Sequence, residues 1–260
     1  VEVVVLETEQ QRADLVADAV VALVRATPTA VLGLATGSSP SPVYAELVRR
    51  YEAGEVSFGV TSAFTLDEYL GLPPGHPEGY RQVIEREFAS LVDLSADHLH
   101  TPDGQTHDVP AACAAYERAI VDAGGVDLQL LGIGSDGHLA FNEPGSSLAS
   151  RTRVKTLTPR TRADNARFFG SADDVPHHVL TQGLGTILDA RHLVMLATGT
   201  GKAEAVHAAV EGPVSARCPA SALQLHPHVT VVLDPAAAAR LELREYYAQV
   251  WADKPEWQGI

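Results

Sequence analysis

Val126-Asp-Leu-Gln-Leu-Leu131 followed by Gly132-Ile-Gly-Ser-Asp-Gly-His-Leu-Ala-Phe-Asn-Glu-Pro-Gly145 is the stretch on which the reading of this chain turns. The first segment is an apolar run of the kind that forms a buried strand. The second places Asp136, His138 and Glu143 within eight residues on a glycine-loosened loop. Open α/β sheets hold their ligands at the carboxyl ends of strands, so three titratable groups here mark a site for proton transfer.

The same pattern repeats outward from this point. Val3 to Leu6 reads as a strand, followed by a helix over about Gln10 to Arg25. Ala30 to Ala35 is a strand ending in Thr36-Gly-Ser-Ser-Pro40, with a helix from Ser41 to Tyr51. Thr61 to Leu66 runs into Asp67-Glu68-Tyr69, and helices are expected near Tyr80 to Leu91 and Val109 to Ala123. His192 to Ala197 precedes Thr198-Gly-Thr-Gly-Lys202 and an alanine-rich helix; Val229 to Leu233 precedes a last helix over Pro235 to Trp251. Repeated strand, loop and helix predict one α/β domain over 1–260, with a doubly wound, mostly parallel, Rossmann-like sheet. Residues 143–185 are polar, arginine-rich and weakly periodic, and are expected to form a lid over the site.

Composition narrows the function. Hydrophobic residues make up 45% of 260 residues, enough for a substantial core, and no apolar run reaches the roughly 18 residues of a membrane span. No basic region followed by an apolar one opens the sequence, so a cytoplasmic protein is expected. A formal charge of −14 argues against nucleic acid and anionic membranes as partners. Cys113 and Cys218 read as buried thiols without metal-ligand spacing.

Two resemblances to nucleotide motifs fail on context. Gly132, Gly134 and Gly137 satisfy G-x-G-x-x-G, but Pro144 and Gly145 cut off the helix that a pyrophosphate requires. Thr198 to Lys202 looks like a Walker loop, yet Ala203 stands where the metal-binding hydroxyl belongs. Lys202 at a helix start can still hold one phosphate, and the hydroxyls and backbone N–H groups of Thr36 to Ser39 suit an anion. Asp67, after an apolar run, is placed for desolvation and for work as a general base. Carboxylates on both sides of His138 would orient its ring. Arg151, Arg153, Arg160, Arg162 and Arg167 form a basic stretch in an acidic chain, from which at least one is expected to reach an anionic substrate.

These residues, taken together, resemble the glucosamine-6-phosphate deaminases along almost the whole chain. The matching segments are Gly33-Leu-Ala-Thr-Gly-Ser-Ser-Pro40, Leu66-Asp-Glu-Tyr-Leu-Gly-Leu-Pro73, Gly134 to Pro144, Ser146 to Lys155 and Val210-Glu-Gly212. The related 6-phosphogluconolactonases share an Asp-Gly-His core but continue differently from Leu-Ala-Phe-Asn-Glu-Pro144.

The resemblance implies a small-molecule sugar phosphate as partner and a reaction that needs neither metal nor nucleotide. It implies that His138, held by Asp136 and Glu143, opens the sugar ring, and that Asp67 moves a proton from C2 to C1. It assigns the phosphate to Thr36, Gly37, Ser38, Ser39, Arg167 and Lys202. Regulated members are homo-oligomeric hexamers, and Ser146, Arg153 and Lys155 match their effector site, whereas Tyr246 and Tyr247 do not align with the tyrosine used there.

Overall fold

Apolar runs without alternation become the inner strands. A computed structural model describes residues 1–260, with every side chain except those of Arg160, Asp164 and Glu256. In chain order the strands are β1 (Glu2–Val5), β2 (Val31–Leu34), β3 (Ser62–Thr65), β4 (Asp67–Tyr69), β5 (Leu99–His100), β6 (Leu128–Leu131), β7 (Arg153–Thr156), β8 (His178–Thr181), β9 (His192–Ala197) and β10 (Val229–Leu233). The helices are α1 (Glu9–Ala26), α2 (Ser41–Glu52), α3 (Tyr80–Glu87), α4 (Val109–Asp122), α5 (Pro159–Phe169), α6 (Leu184–Leu188), α7 (Ala203–Val210) and α8 (Arg244–Ala252).

Every residue of β2, β6, β9 and β10 is buried, as expected for parallel strands covered on both faces. They lie in a sheet of order β1-β10-β9-β6-β2-β3-β5 with parallel pairing throughout. Right-handed crossovers then place α1, α2 and α3 on one face and α4, α6 and α7 on the other. The contacts agree: α1 packs on α2 and α2 on α3, while α6 and α7 both pack on the 3-10 segment Pro219–Leu225. Helix α1 starts where a capping box forms, with Thr8 and Gln11 each binding the other's backbone N–H. Its Val16, Val20 and Val24 fall on one stripe and enter the core.

The direction of winding reverses between β2 and β6. From β2 the chain steps to β3 and β5; from β6 it steps the other way, to β9 and β10. Loops leaving the two strands therefore diverge and open a crevice, the place where such sheets bind ligands. The loops after β9, β6, β2 and β3 follow one another along this edge.

Three details depart from the sequence expectations. Asp67–Tyr69 is not the end of the third strand: it is β4, the edge of a second, antiparallel sheet of order β4-β8-β7. The arginine-rich segment is accordingly ordered as β7, α5 and β8, over its own apolar cluster of Tyr69, Leu72, Phe141, Leu157, Val175 and Val179. The last helix starts at Arg244 rather than Pro235. Asp234 folds the intervening chain into turns by accepting from the Ala237 N–H, and the Glu211 carboxylate takes the N–H groups of Glu242 and Leu243.

Candidate active site

The loop after β6 is built around two bare α-carbons. Gly134 N–H donates to the His138 carbonyl at 2.9 Å, and Gly137 N–H to the Gly134 carbonyl at 3.0 Å, which folds Asp136 and His138 onto each other. Gly137 has φ 84°, and a methyl group there would lie 2.5 Å from Cys218 Sγ. At Gly134 a methyl group would lie 2.2–2.4 Å from three atoms of the His138 imidazole. The ring rests directly on the Gly134 backbone.

Beyond His138 the chain reverses over Leu139 to Asn142. Ala140 takes φ 49°, a left-handed conformation that costs a non-glycine residue about 1–3 kcal/mol. Surrounding bonds hold it: Asn142 N–H donates to the Leu139 carbonyl at 3.0 Å. Asn142 Nδ2 donates to the carbonyls of Leu139 and Gln182, each at 2.9 Å. The reversal returns Glu143 to the side of His138.

His138 Nδ1 then lies 2.7 Å from Asp136 Oδ1, and its backbone N–H donates to the same oxygen at 3.2 Å. The ring contact is close but oblique, because no acceptor among the described residues lies in line with Nδ1. His138 holds the Asp136 carboxyl far below the usual carboxylate range, overcoming partial burial, with a smaller contribution from Glu143. Glu143 is itself buried and accepts from the Thr161 hydroxyl at 2.5 Å. One ligand atom from each of Asp136, His138 and Glu143 falls within 4.8 Å of the others. This spacing could hold a cation, a capacity the sequence reading had not assigned to these residues.

Asp67 reaches the same edge from β3. It is 6% exposed, and its carboxylate accepts no hydrogen bond among the described residues. Burial, and then the neighbouring Glu68, raise its pKa well above the ordinary value. Burial raises the pKa of Glu68 as well, but its carboxylate is bonded: it takes the backbone N–H groups of Tyr69, Tyr80 and Arg81 at 2.8–3.0 Å and caps α3. Two adjacent acids thus divide into a structural anchor and a desolvated carboxylate without a hydrogen bond among the described residues.

Thr181 and Gln182 join the two halves. Thr181 pairs with Asp67 across the small sheet while its hydroxyl accepts the Phe141 N–H at 3.2 Å. Gln182 donates from its backbone to the Leu66 carbonyl and from Nε2 to the Thr65 carbonyl, and its own carbonyl holds Asn142. Tyr69 packs against Tyr80, Phe141 and Phe169, which gathers β4, α3, the loop after β6 and α5 around one ring. None of these supports was identified from sequence. A threonine or glutamine after a short strand carries no local sign of a partner at a large separation.

Thr36, Gly37, Ser38 and Ser39 form the loop after β2, with Gly37 at φ 108°. Among the described residues no side chain caps α2; Pro42 has no N–H, and the Val43 and Tyr44 N–H groups donate to the Pro40 carbonyl. Lys202 ends a 3-10 turn after β9, on the other side of the β6 loop. Arg167 sits exposed at the last turn of α5, its guanidinium 4.7 Å from the centre of the Phe168 ring, with no ion-pair partner among the described residues. Arg151 and Arg162 are tied down, Arg151 to Glu117 and Asp189, Arg162 to the Ala172 and Val175 carbonyls; the side chain of Arg160 lies outside the described residues. Arg153 and Lys155 share the half-buried face of β7, and Ser146 is buried with a hydroxyl that has no partner among the described residues.

A cavity of about 870 Å³ lies elsewhere: it opens at the amino-terminal edge beside Leu128, His192 and His228. His192 and His228 stack there at 3.7 Å, and burial pushes His192 down to about 3. The chemistry-bearing groups lie at the opposite edge of the sheet.

The chain is similar to known proteins along its length. Residues 6–232 match the family of glucosamine-6-phosphate isomerases and 6-phosphogluconolactonases. The glucosamine-6-phosphate deaminase of Mycolicibacterium smegmatis is 64% identical over 260 residues, the whole of both chains. That of Streptomyces coelicolor is 57% identical over the same span. A monomeric glucosamine-6-phosphate deaminase of known structure superposes with a TM-score of 0.90 at 40% identity, over 92% of this chain and 100% of that one. A Trypanosoma brucei 6-phosphogluconolactonase shares the fold at 21% identity and TM-score 0.75, over 92% of this chain and 98% of its own. The switch-point crevice, the Asp136–His138 contact and the full-length likeness agree: this chain belongs to the glucosamine-6-phosphate isomerase and 6-phosphogluconolactonase family.

Proposed function

We propose that this chain converts D-glucosamine 6-phosphate and water to D-fructose 6-phosphate and ammonia, as a cytoplasmic enzyme of amino-sugar breakdown. The observation that carries this reading is the buried carboxylate of Asp67, without a hydrogen bond among the described residues, at the same sheet edge as the Asp136–His138–Glu143 group. A carboxylate left desolvated and unbonded costs stability, and such groups concentrate at sites of proton transfer.

In this mechanism His138, oriented by Asp136 and Glu143, moves the proton that opens the pyranose. Only the open-chain aldehyde makes the C2 hydrogen acidic enough to remove. Asp67 takes that proton, leaving an enolamine across C1 and C2, and returns it to C1. The resulting C2 iminium adds water and expels ammonia, leaving the ketone. Thr36 to Ser39, Arg167 and Lys202 would hold the phosphate, concentrating donors and positive charge at one point of an acidic protein. The proton transfers are assigned to side chains alone, so the reading is metal-independent despite the spacing of the triad. Residues 143–185 would act as a lid through β7, α5 and β8.

The deciding assay follows ammonia and fructose 6-phosphate from glucosamine 6-phosphate with EDTA present and no nucleotide. Equal yields are expected. Turnover that vanishes with EDTA and returns with a divalent ion would overturn metal independence. Hydrolysis of 6-phosphogluconolactone without ammonia release would move the chain to the lactonase branch. Arg167→Ala is expected to raise KM about 10- to 100-fold with little change in kcat, the loss of one charge-assisted contact made equally in ground and transition states. A lower kcat at unchanged KM would remove Arg167 from the phosphate site.

Ser146, Arg153 and Lys155 are proposed to bind N-acetylglucosamine 6-phosphate as an activator in a homo-oligomer. Burial lowers the pKa of Arg153, a cost that a bound anion would offset. Sigmoidal saturation that becomes hyperbolic with effector is expected; hyperbolic curves unmoved by effector would sink the idea.

A further inference from the structure

The Thr161 hydroxyl donates to Glu143 Oε1 at 2.5 Å, and both side chains are buried. Thr161 lies in the first turn of α5, within the segment between β7 and β8, whereas Glu143 ends the loop after β6. We propose that Thr161 is the positioning residue for Glu143, so that docking of α5 on the catalytic loop completes the proton-transfer group. The inference rests on the reading of Glu143 as a member of that group.

The hydrogen-bond directions are fixed locally. Thr158 caps α5 by accepting the Thr161 N–H at 3.1 Å, and the two hydroxyl oxygens are 2.9 Å apart. With the Thr161 proton directed at Glu143, the Thr158 hydroxyl donates to the Thr161 oxygen, giving a relay from Thr158 through Thr161 to Glu143. A hydroxyl held on Oε1 sets the rotation of the carboxyl group and leaves Oε2 for Asp136 and His138, against which Glu143 lies.

Other anchors of α5 do not reach the triad. Arg162 binds carbonyls of its own segment, Ala172 and Val175, and Asn165 Nδ2 donates to the Tyr69 hydroxyl at 3.1 Å. Among the described side chains of α5, Thr161 is the polar link to the loop that carries His138. Movement of the segment away from the site would break this link first at Glu143.

The test is a set of steady-state measurements on Thr161→Val, Thr161→Ser, Glu143→Gln and the Val/Gln double variant. Valine keeps the shape of threonine and the backbone N–H that Thr158 caps, but removes the hydroxyl. Thr161→Val is expected to lower kcat about 10- to 100-fold, with KM within about threefold of the parent. Serine restores the donor and should recover most of the loss. In the Glu143→Gln background the valine change should cost less than about twofold, because the group through which Thr161 acts is already disabled. Thr161→Ala is the second probe if valine does not fit the turn.

A near-parental kcat for Thr161→Val beside a crippled Glu143→Gln would overturn the inference and leave the catalytic reading standing. An equal loss in both backgrounds, or no recovery with serine, would also overturn it, assigning the effect to packing. Full activity of Glu143→Gln would instead remove the reading of Glu143 on which the inference rests.

Discussion

Asp67→Asn is expected to lose turnover by about 10²- to 10⁴-fold while still binding a phosphate ligand. The substitution keeps shape and removes the carboxylate proposed to accept the C2 proton. The backbone at this position is secured independently, by pairing with Thr181, so the loss should be chemical. Exchange of the C2 hydrogen with deuterated solvent should disappear together with ammonia release. Near-normal kcat in the asparagine variant would show that the base is another residue.

The same variant carries a stability signature. Asp67 is an acid whose folded pKa lies above its unfolded value near about 3.9. Between the two values the folded state retains a proton that the unfolded chain has released. Stability therefore falls as pH rises through that window and stays low above it. Asparagine carries no charge, so its Tm should exceed the parent's at pH above the window and approach it toward pH 4. Each kcal/mol relieved corresponds to about 2–4 °C in a chain near this size. A parent melting above Asp67→Asn in alkaline buffer would contradict the desolvation of Asp67.

Gly134→Ala should be nearly as damaging to activity, for a different reason. Gly134 has an ordinary φ, so alanine is compatible with the backbone. The obstacle is the His138 ring, three of whose atoms would stand 2.2–2.4 Å from the added methyl group. The imidazole is partly exposed and can swing aside, leaving Asp136 and Glu143 behind. We expect a kcat loss of about 10²-fold or more, since a displacement near 1 Å is enough to cost that much, with Tm changed by only a few degrees. A variant that keeps full activity would show that the ring is not held against this backbone during catalysis. Gly137→Ala would not separate the two effects, because φ 84° and the adjacent Cys218 Sγ oppose any side chain.

Much of this site was visible in the linear chain because its members are local. Asp136, His138 and Glu143 lie on one loop, and a glycine-rich turn after a buried strand has few ways to fold. The β9 and β10 boundaries follow directly from uninterrupted apolar runs, since a strand buried on both faces needs nothing else. That residues 67–69 leave the main sheet for a second one is not legible locally, because their partner, β8, is more than a hundred residues away. Residues 235–243 were read as helix because alanine favours one. Asp234 and Glu211 claim their N–H groups, and nothing in the local sequence announces those bonds.

The sequence by itself determined the α/β layering, the direction of the sheet edge and the residue types gathered there, because hydrophobic period and glycine placement act over a few residues. Only the tertiary structure decided which neighbouring acid was buried without a hydrogen bond among the described residues, Asp67, and which became the helix cap, Glu68. It alone put Thr161 on Glu143, paired Asp67 with Thr181 and tied Asn142 to the adjacent Gln182. Burial and hydrogen-bond direction depend on what the rest of the chain brings to a position.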